Sequence, residues 1–323
     1  MTVVADQRRC SAQHEQEHRD GHRQLHSEDP NSTGAPVGYG QHVASTKKLF
    51  AALKRRGPHR VLRGDLSFAG LPGVVYTPES GFNLPGIAFA HEWLTGVERY
   101  AGTLEHLASW GIVAAAPDTE KGIAPSVLNL AFDLGTALDI IAGVRLGDGK
   151  ISVHPHKLGL VGHGFGASTA VFAAAGMPAK PKAVVAAFPT VTKPAAQEAA
   201  ATLQVPGLIL TDPGDPMSLR SNAIELARAW KTATLRAMPK AKAGGLIEGR
   251  RLARVVGLPG ADKDTQKLVR ALTTGYLLHM LTGDKAYRDF ADPEVDLPKA
   301  AVMDPFAGEP VDLENKVVAL LKP

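Results

Sequence analysis

The stretch KLGLVGHGFGASTAVFAAAG, residues 157–176, constrains the fold more than any other part of the chain. An apolar run ends in three glycines at alternate positions, Gly162, Gly164 and Gly166, and passes directly into a run of small residues. The first half reads as a buried strand and the second as a helix of small residues. A strand that turns at once into a helix brings the two backbones too close for side chains, and this accounts for Gly162 and Gly166.

Around this turn the pattern alternates from about residue 60 onward. VLRGDLSF and GVVYTP suggest an opening antiparallel pair, and GIAFAHEW, residues 86–93, a continuous apolar strand with polar residues at its end. A helix is expected from Val97 to Trp110, with Thr95 and Glu98 spaced as a capping box. GIVAAAPDT, KAVVAAFPT, VPGLILTDPGD and TATLRAMP read as further strands. Helices are expected over 126–144, 194–203, 218–230, 263–281 and 313–321. Strands apolar on both faces, alternating with helices, predict an α/β fold with a mostly parallel sheet covered on both sides. In such sheets the chemistry sits at the carboxyl ends of the strands. There is no internal repeat, and no composition shift divides residues 60–323; residues 45–323 are expected to form a single domain.

Residues 1–44 are polar, with few large apolar side chains, and are expected to form a disordered leader. Within it His14, His18, His22 and His26 recur every four residues, so a helix would align them for metal chelation. Gly21 weakens that helix, and no carboxylate or cysteine ligand set has site-like spacing, so no metal and no cofactor is expected. The single cysteine, Cys10, excludes an internal disulfide and lies in the leader without a nearby partner. No apolar run is long enough to span a membrane, and the first residues lack the apolar core of a signal peptide, so a cytoplasmic address is the expectation. The net charge is +4, and the one basic cluster, Lys47 to Arg63, has no interleaved aromatic set. It reads as the solvated face of a short helix rather than as a contact for nucleic acid or an anionic membrane.

The order strand, G-x-G-x-G, small-residue helix is the setting of a nucleophile elbow, G-x-S-x-G, with Gly164 in the serine's place. A dinucleotide-binding turn is the other reading, although that fingerprint normally follows the first strand of its domain.

Taken in order, GIAFAHEWLTG, LASWGIVAAAPDT, VHPHKLGLVGHGFGAS, VPGLILTDPGDP and LTTGYLLHMLTGDKAYRDF resemble the successive landmarks of α/β-hydrolases over residues 60–292. The nearest likeness is to bacterial polyester hydrolases of the cutinase and PETase type, with dienelactone hydrolases second. The resemblance implies an eight-stranded, mostly parallel sheet and a Ser, Asp, His triad that cleaves carboxylic esters. Carried over by position, the nucleophile is Gly164, which has no side chain to attack a carbonyl. Asp215 best matches the acid, with Asp212 second. The segment MPKAKAGGLIEG, where the base should lie, has no histidine, and the only histidine after His163 is His279, in an apolar helix where a packed or hydrogen-bonded core role is expected. Ser168 falls a helical turn beyond Gly164 and reads as a small residue packing helix on sheet. His163 is expected to pack and hydrogen-bond beside the elbow.

The oxyanion-binding side is better kept. The strand end His91, Glu92, Trp93 would supply one backbone N–H, and Phe165 the other. In dienelactone hydrolases a glutamate lies in a similar segment, so Glu92 is either a group of functional interest or a solvated carboxylate at a strand tip. These features imply a hydrolase fold without the triad's chemistry: a pseudoenzyme that binds a small carboxylate or ester ligand, or a protein partner. Two alternatives stand beside it. One is an active esterase with rewired groups, for instance water activated by Glu92 or by a His91 and Asp215 pair. The other is a scaffold recruiting membrane, nucleic acid or metal through the N-terminal region.

Overall fold

The computed structural model describes residues 39–212, 220–249 and 260–307, with side chains from Thr46 onward. Asp215, the leader with its histidines and Cys10, and the helix expected over 313–321 lie outside the described residues. The first helix, α1 (Tyr39–Leu53), begins inside the stretch assigned to the leader.

The nine strands are β1 (Val61–Asp65), β2 (Gly73–Pro78), β3 (Gly81–Ala90), β4 (Val113–Pro117), β5 (Ile151–His163), β6 (Ala183–Ala187), β7 (Gly207–Thr211), β8 (Ala233–Ala237) and β9 (Ala301–Val302). They form one sheet in the order β1-β2-β4-β3-β5-β6-β7-β8-β9. Six neighbours, from β4 and β3 through β8, run parallel. β1 and β2 are antiparallel at one edge, and β9 is antiparallel to β8 at the other. This is the α/β-hydrolase fold. The eight strands expected from sequence become nine because β9 adds two residues, pairing Arg236 with Val302 and Ala237 with Ala301. Two residues are too few to show a strand's alternation in sequence.

The helices are α2 (Ala101–Ser109), α3 (Val127–Gly143), α4 (Phe165–Gly176), α5 (Ala196–Thr202), α6 (Ala223–Ala229) and α7 (Lys263–Thr282). Strand alternation sends Ile87, Phe89, Val185 and Leu208 to one face, where they pack with Leu53 of α1, Leu104 of α2 and Leu272 of α7. Ala88, Ala90, Val184 and Ile209 face the other way, onto Leu134 of α3, Val171 of α4, Ala200 of α5 and Leu226 of α6. Both faces are therefore covered, as a parallel sheet requires. Among the described residues no helix is long and apolar enough to cross a membrane.

Three local expectations need correction. The capping box does not form: Gly96 takes the N-cap without a side-chain bond, and the Thr95 hydroxyl donates to the Trp93 carbonyl at 3.1 Å. The segment starts as a 3-10 turn over Val97–Tyr100, with the Val97 N–H donating to Asp118 Oδ1 instead. The basic cluster is not one helix, because α1 ends at Leu53 and Val61–Arg63 already belong to β1. Finally, His279 is hydrogen-bonded as expected, with Nδ1 3.0 Å from the Asp284 carbonyl, but it is half-buried in the last turn of α7 rather than in the core. Its neighbours Met280 and Leu281 reach Lys182 and Gly159, so it stands toward the amino ends of the strands.

Candidate functional site

Gly164 is the turning point between β5 and α4, at φ 57 and ψ −114. Its N–H donates to the Ala187 carbonyl at 2.9 Å, and its own carbonyl accepts from Ala167 and Thr190 at 3.1 and 3.2 Å. These bonds hold a backbone conformation that side-chain-bearing residues rarely adopt. The flanking glycines are fixed by close approach. A Cβ on Gly162 would overlap the Gly166 carbonyl, and one on Gly166 would overlap the Ala90 carbonyl at the end of β3.

Glu92 follows the end of β3 and crosses to the elbow. Its Oε1 accepts from the Trp93 N–H at 2.7 Å and from the Phe165 N–H at 3.1 Å. A Cβ built on Gly164 would overlap the other oxygen, Oε2. The carboxylate therefore occupies the space that a side chain at position 164 would take, and it accepts from the two N–H groups that the resemblance implies for an oxyanion site. Sequence reasoning left that donor pair open for a ligand, whereas a neighbouring side chain fills it. Trp93 is held over the site by its indole N–H, which donates to the Ile123 carbonyl at 3.1 Å, and by the Arg220 guanidinium 5.3 Å from its ring centre.

A buried relay links this carboxylate's backbone to the loop after β8. The Glu92 N–H donates to the Tyr100 hydroxyl at 3.1 Å, and that hydroxyl lies 2.8 Å from His163 Nδ1. His163 Nε2 lies 3.0 Å from the Ala243 carbonyl. An imidazole protonated at Nε2 satisfies the whole chain: it donates to Ala243, accepts from Tyr100, and leaves Tyr100 to accept from Glu92. Tyr100 was not singled out in the sequence, and only the fold brings it across to His163. The same loop is pinned further on by Glu248, which accepts from the N–H groups of Gly102 and Thr103 at the start of α2 and pairs with Arg270 at 2.7 Å.

The remaining candidates are placed as follows. His91 is fully buried, with Nδ1 3.0 Å from the Glu92 carbonyl and Nε2 2.8 Å from the Thr119 carbonyl. The Ser168 hydroxyl, buried in α4, donates to the Thr190 carbonyl at 2.5 Å. Asp212 directly follows β7 at the carboxyl edge of the sheet. Asp118 directly follows β4 nearby. Burial opposes its charge, but the Lys121 ammonium at 2.8 Å, the Val97 N–H and His91 hold its carboxyl below the usual aspartate value. Leu94, Ile123 and Val191, all more than half exposed, put apolar side chains on the segments that frame the elbow, and Leu94 does so at φ 52. No group of three or more metal-ligating side chains occurs among the described residues.

Comparison with family models matches residues 71–238, just over half of the 323 residues, to the dienelactone hydrolase family. The match runs from the start of β2 past the end of β8 and so includes the elbow and Glu92. No curated protein matches the chain.

Proposed function

The chain belongs to the dienelactone hydrolase family, and on that premise we propose that it is a non-hydrolytic member whose elbow has become a binding site. The observation that carries this reading is Glu92, whose carboxylate sits in the nucleophile's space on the Trp93 and Phe165 N–H groups. Nucleophilic catalysis needs a side chain at position 164, a base to activate it and donors kept ready for developing charge. Gly164 lacks the first. The loop that should carry the base is tied to His163 through Ala243 and has no imidazole. The donors are engaged with a resident anion. What remains for an incoming molecule is the apolar rim of Trp93, Leu94, Ile123 and Val191, which suits a small ester or carboxylate with an apolar body, or a partner's side chain.

Labelling with a fluorophosphonate probe and turnover of short p-nitrophenyl esters test this reading. The expected result is neither a labelled serine nor turnover. Labelling of any serine, or turnover that follows the protein through purification and is lost in Glu92→Gln, overturns it.

The second reading, hydrolysis by rewired groups, is favoured by one observation: Glu92 Oε2 stands where a nucleophile would stand, placed to activate water. General acid-base help of this kind contributes about two to four orders of magnitude. It therefore calls for an activated substrate, and the same ester assay on Glu92→Gln distinguishes the two readings.

A further inference from the structure

A second cleft, of about 310 Å³, lies apart from the elbow and is lined by Lys54, Lys240, Lys267 and Lys299 with Asp262 and Asp264. The four lysines come from four separate elements: the end of α1, the loop after β8, α7 and the loop before β9. Lys240, Lys267 and Lys299 are exposed and Lys54 is half-buried, so water screens part of their mutual repulsion and a bound anion would relieve the rest. The two aspartates offset only part of this charge, since four lysines face two carboxylates. Asp262 is committed to capping α7, accepting from the Asp264 N–H at 2.9 Å and the Thr265 hydroxyl at 3.0 Å. Among the described residues none of the four ammonium groups is in an ion pair. Burial, then Lys299, then Lys267 depress the Lys54 ammonium below the usual lysine value, with Asp264 opposing. Lys240 and Lys299 hold their positions at φ 76 and φ 65, in the left-handed region, where lysine is uncommon. Strained backbone of this kind concentrates at ligand clamps.

We propose that this cleft binds a compact, multiply charged anion of the pyrophosphate or organic diphosphate class. Flexible ammonium groups act as point charges toward phosphate oxygens, and the volume suits a small ligand rather than an extended polymer. The inference is independent of whether the elbow is catalytic.

Titration calorimetry of the full-length protein with pyrophosphate tests it. The expected result is saturable binding that weakens with added salt. Replacing Lys54→Gln together with Lys299→Gln is expected to weaken it at least tenfold. The corresponding pair of arginine substitutions retains most of the affinity, and Lys231→Gln, outside the cleft, leaves it unchanged. Lys240→Gln, at an exposed position, serves if the double variant does not fold. Absence of saturable binding, or equal affinity in the glutamine variants, overturns the proposal. So does sedimentation with phosphatidic acid vesicles in the absence of pyrophosphate binding, which would assign the lysines to a lipid headgroup.

Discussion

At the scale of single residues, Gly164 and Glu92 are one unit. Gly164→Ala places a side chain on a backbone at φ 57 and evicts the Glu92 carboxylate from two N–H groups. The backbone part costs about 1–3 kcal/mol, and the lost bonds, partly replaced by water, about 1–2 kcal/mol. Glu92→Ala removes the second part, so urea unfolding of the two single variants and the double variant is expected to show a coupling of about 1–2 kcal/mol. Additive costs would refute the shared space. Glu92→Ala also leaves the Trp93 and Phe165 donors without their carboxylate. Acetate at high concentration is expected to raise the Tm of that variant and to leave the parent protein unchanged.

His106 makes a separate residue-scale prediction. It is buried between α1, α2 and α7, and burial, then the Arg270 charge, push its imidazole down to about 4, against a hydrogen bond to the Leu53 carbonyl. Its Nε2 is buried without a hydrogen-bond partner. The folded state therefore favours the neutral ring. Its contribution to stability is complete above pH 6.5 and is lost as pH falls from 6.5 towards 4, a change of about 3 kcal/mol. Denaturant melts between pH 4 and 7 are expected to show this slope, flattened in His106→Leu.

At the scale of elements, the strand-to-helix passage of β5 into α4 was legible in the sequence because its cause is local. The glycines at 162 and 166 meet backbone atoms, and any side chain must collide. Gly162→Ala is accordingly expected to cost more than 4 kcal/mol or to prevent folding, measurable as loss of soluble, cooperatively melting protein. The start of α2 was not legible. Thr95 and Glu98 have the spacing of a cap, but Gly96 caps only the preceding 3-10 turn, and the first turn of α2 is closed from outside by Glu248, 146 residues beyond Gly102. Glu248→Ala is expected to cost about 2–4 kcal/mol by stranding two N–H groups and the partly buried Arg270. Amide exchange at Gly102 and Thr103 would report it directly. The site was legible in the same uneven way. The glycine at position 164 and the absence of histidine from residues 238–249 are visible in the letters. The path of the Glu92 side chain, and the meeting of Tyr100 with His163, depend on rotamers and on strands that only the folded sheet brings together.

At the scale of the whole molecule, the proposed reading separates the family's framework from its chemistry. The parallel sheet, the tight turn and the covered faces are intact, because they follow from distributed packing that no single substitution removes. Triad catalysis would rest on three side chains, whereas Gly164 and Glu92 here share one space and support each other. Gly164→Ser alone is expected to restore no esterase activity above the parent protein, since the hydroxyl would meet the Glu92 carboxylate and find no base. A measurable gain from that single change would show that the loop after β8 can be bypassed.

The crossing of Glu92 into the elbow also bears on history. A serine regained first collides with the glutamate. A glutamate lost first merely empties the donors. A histidine regained first has no hydroxyl to activate. On the proposed reading each of these changes alone is neutral or harmful until the others are made, so no single substitution opens a path to triad hydrolysis in this chain, while what the rim binds stays free to vary.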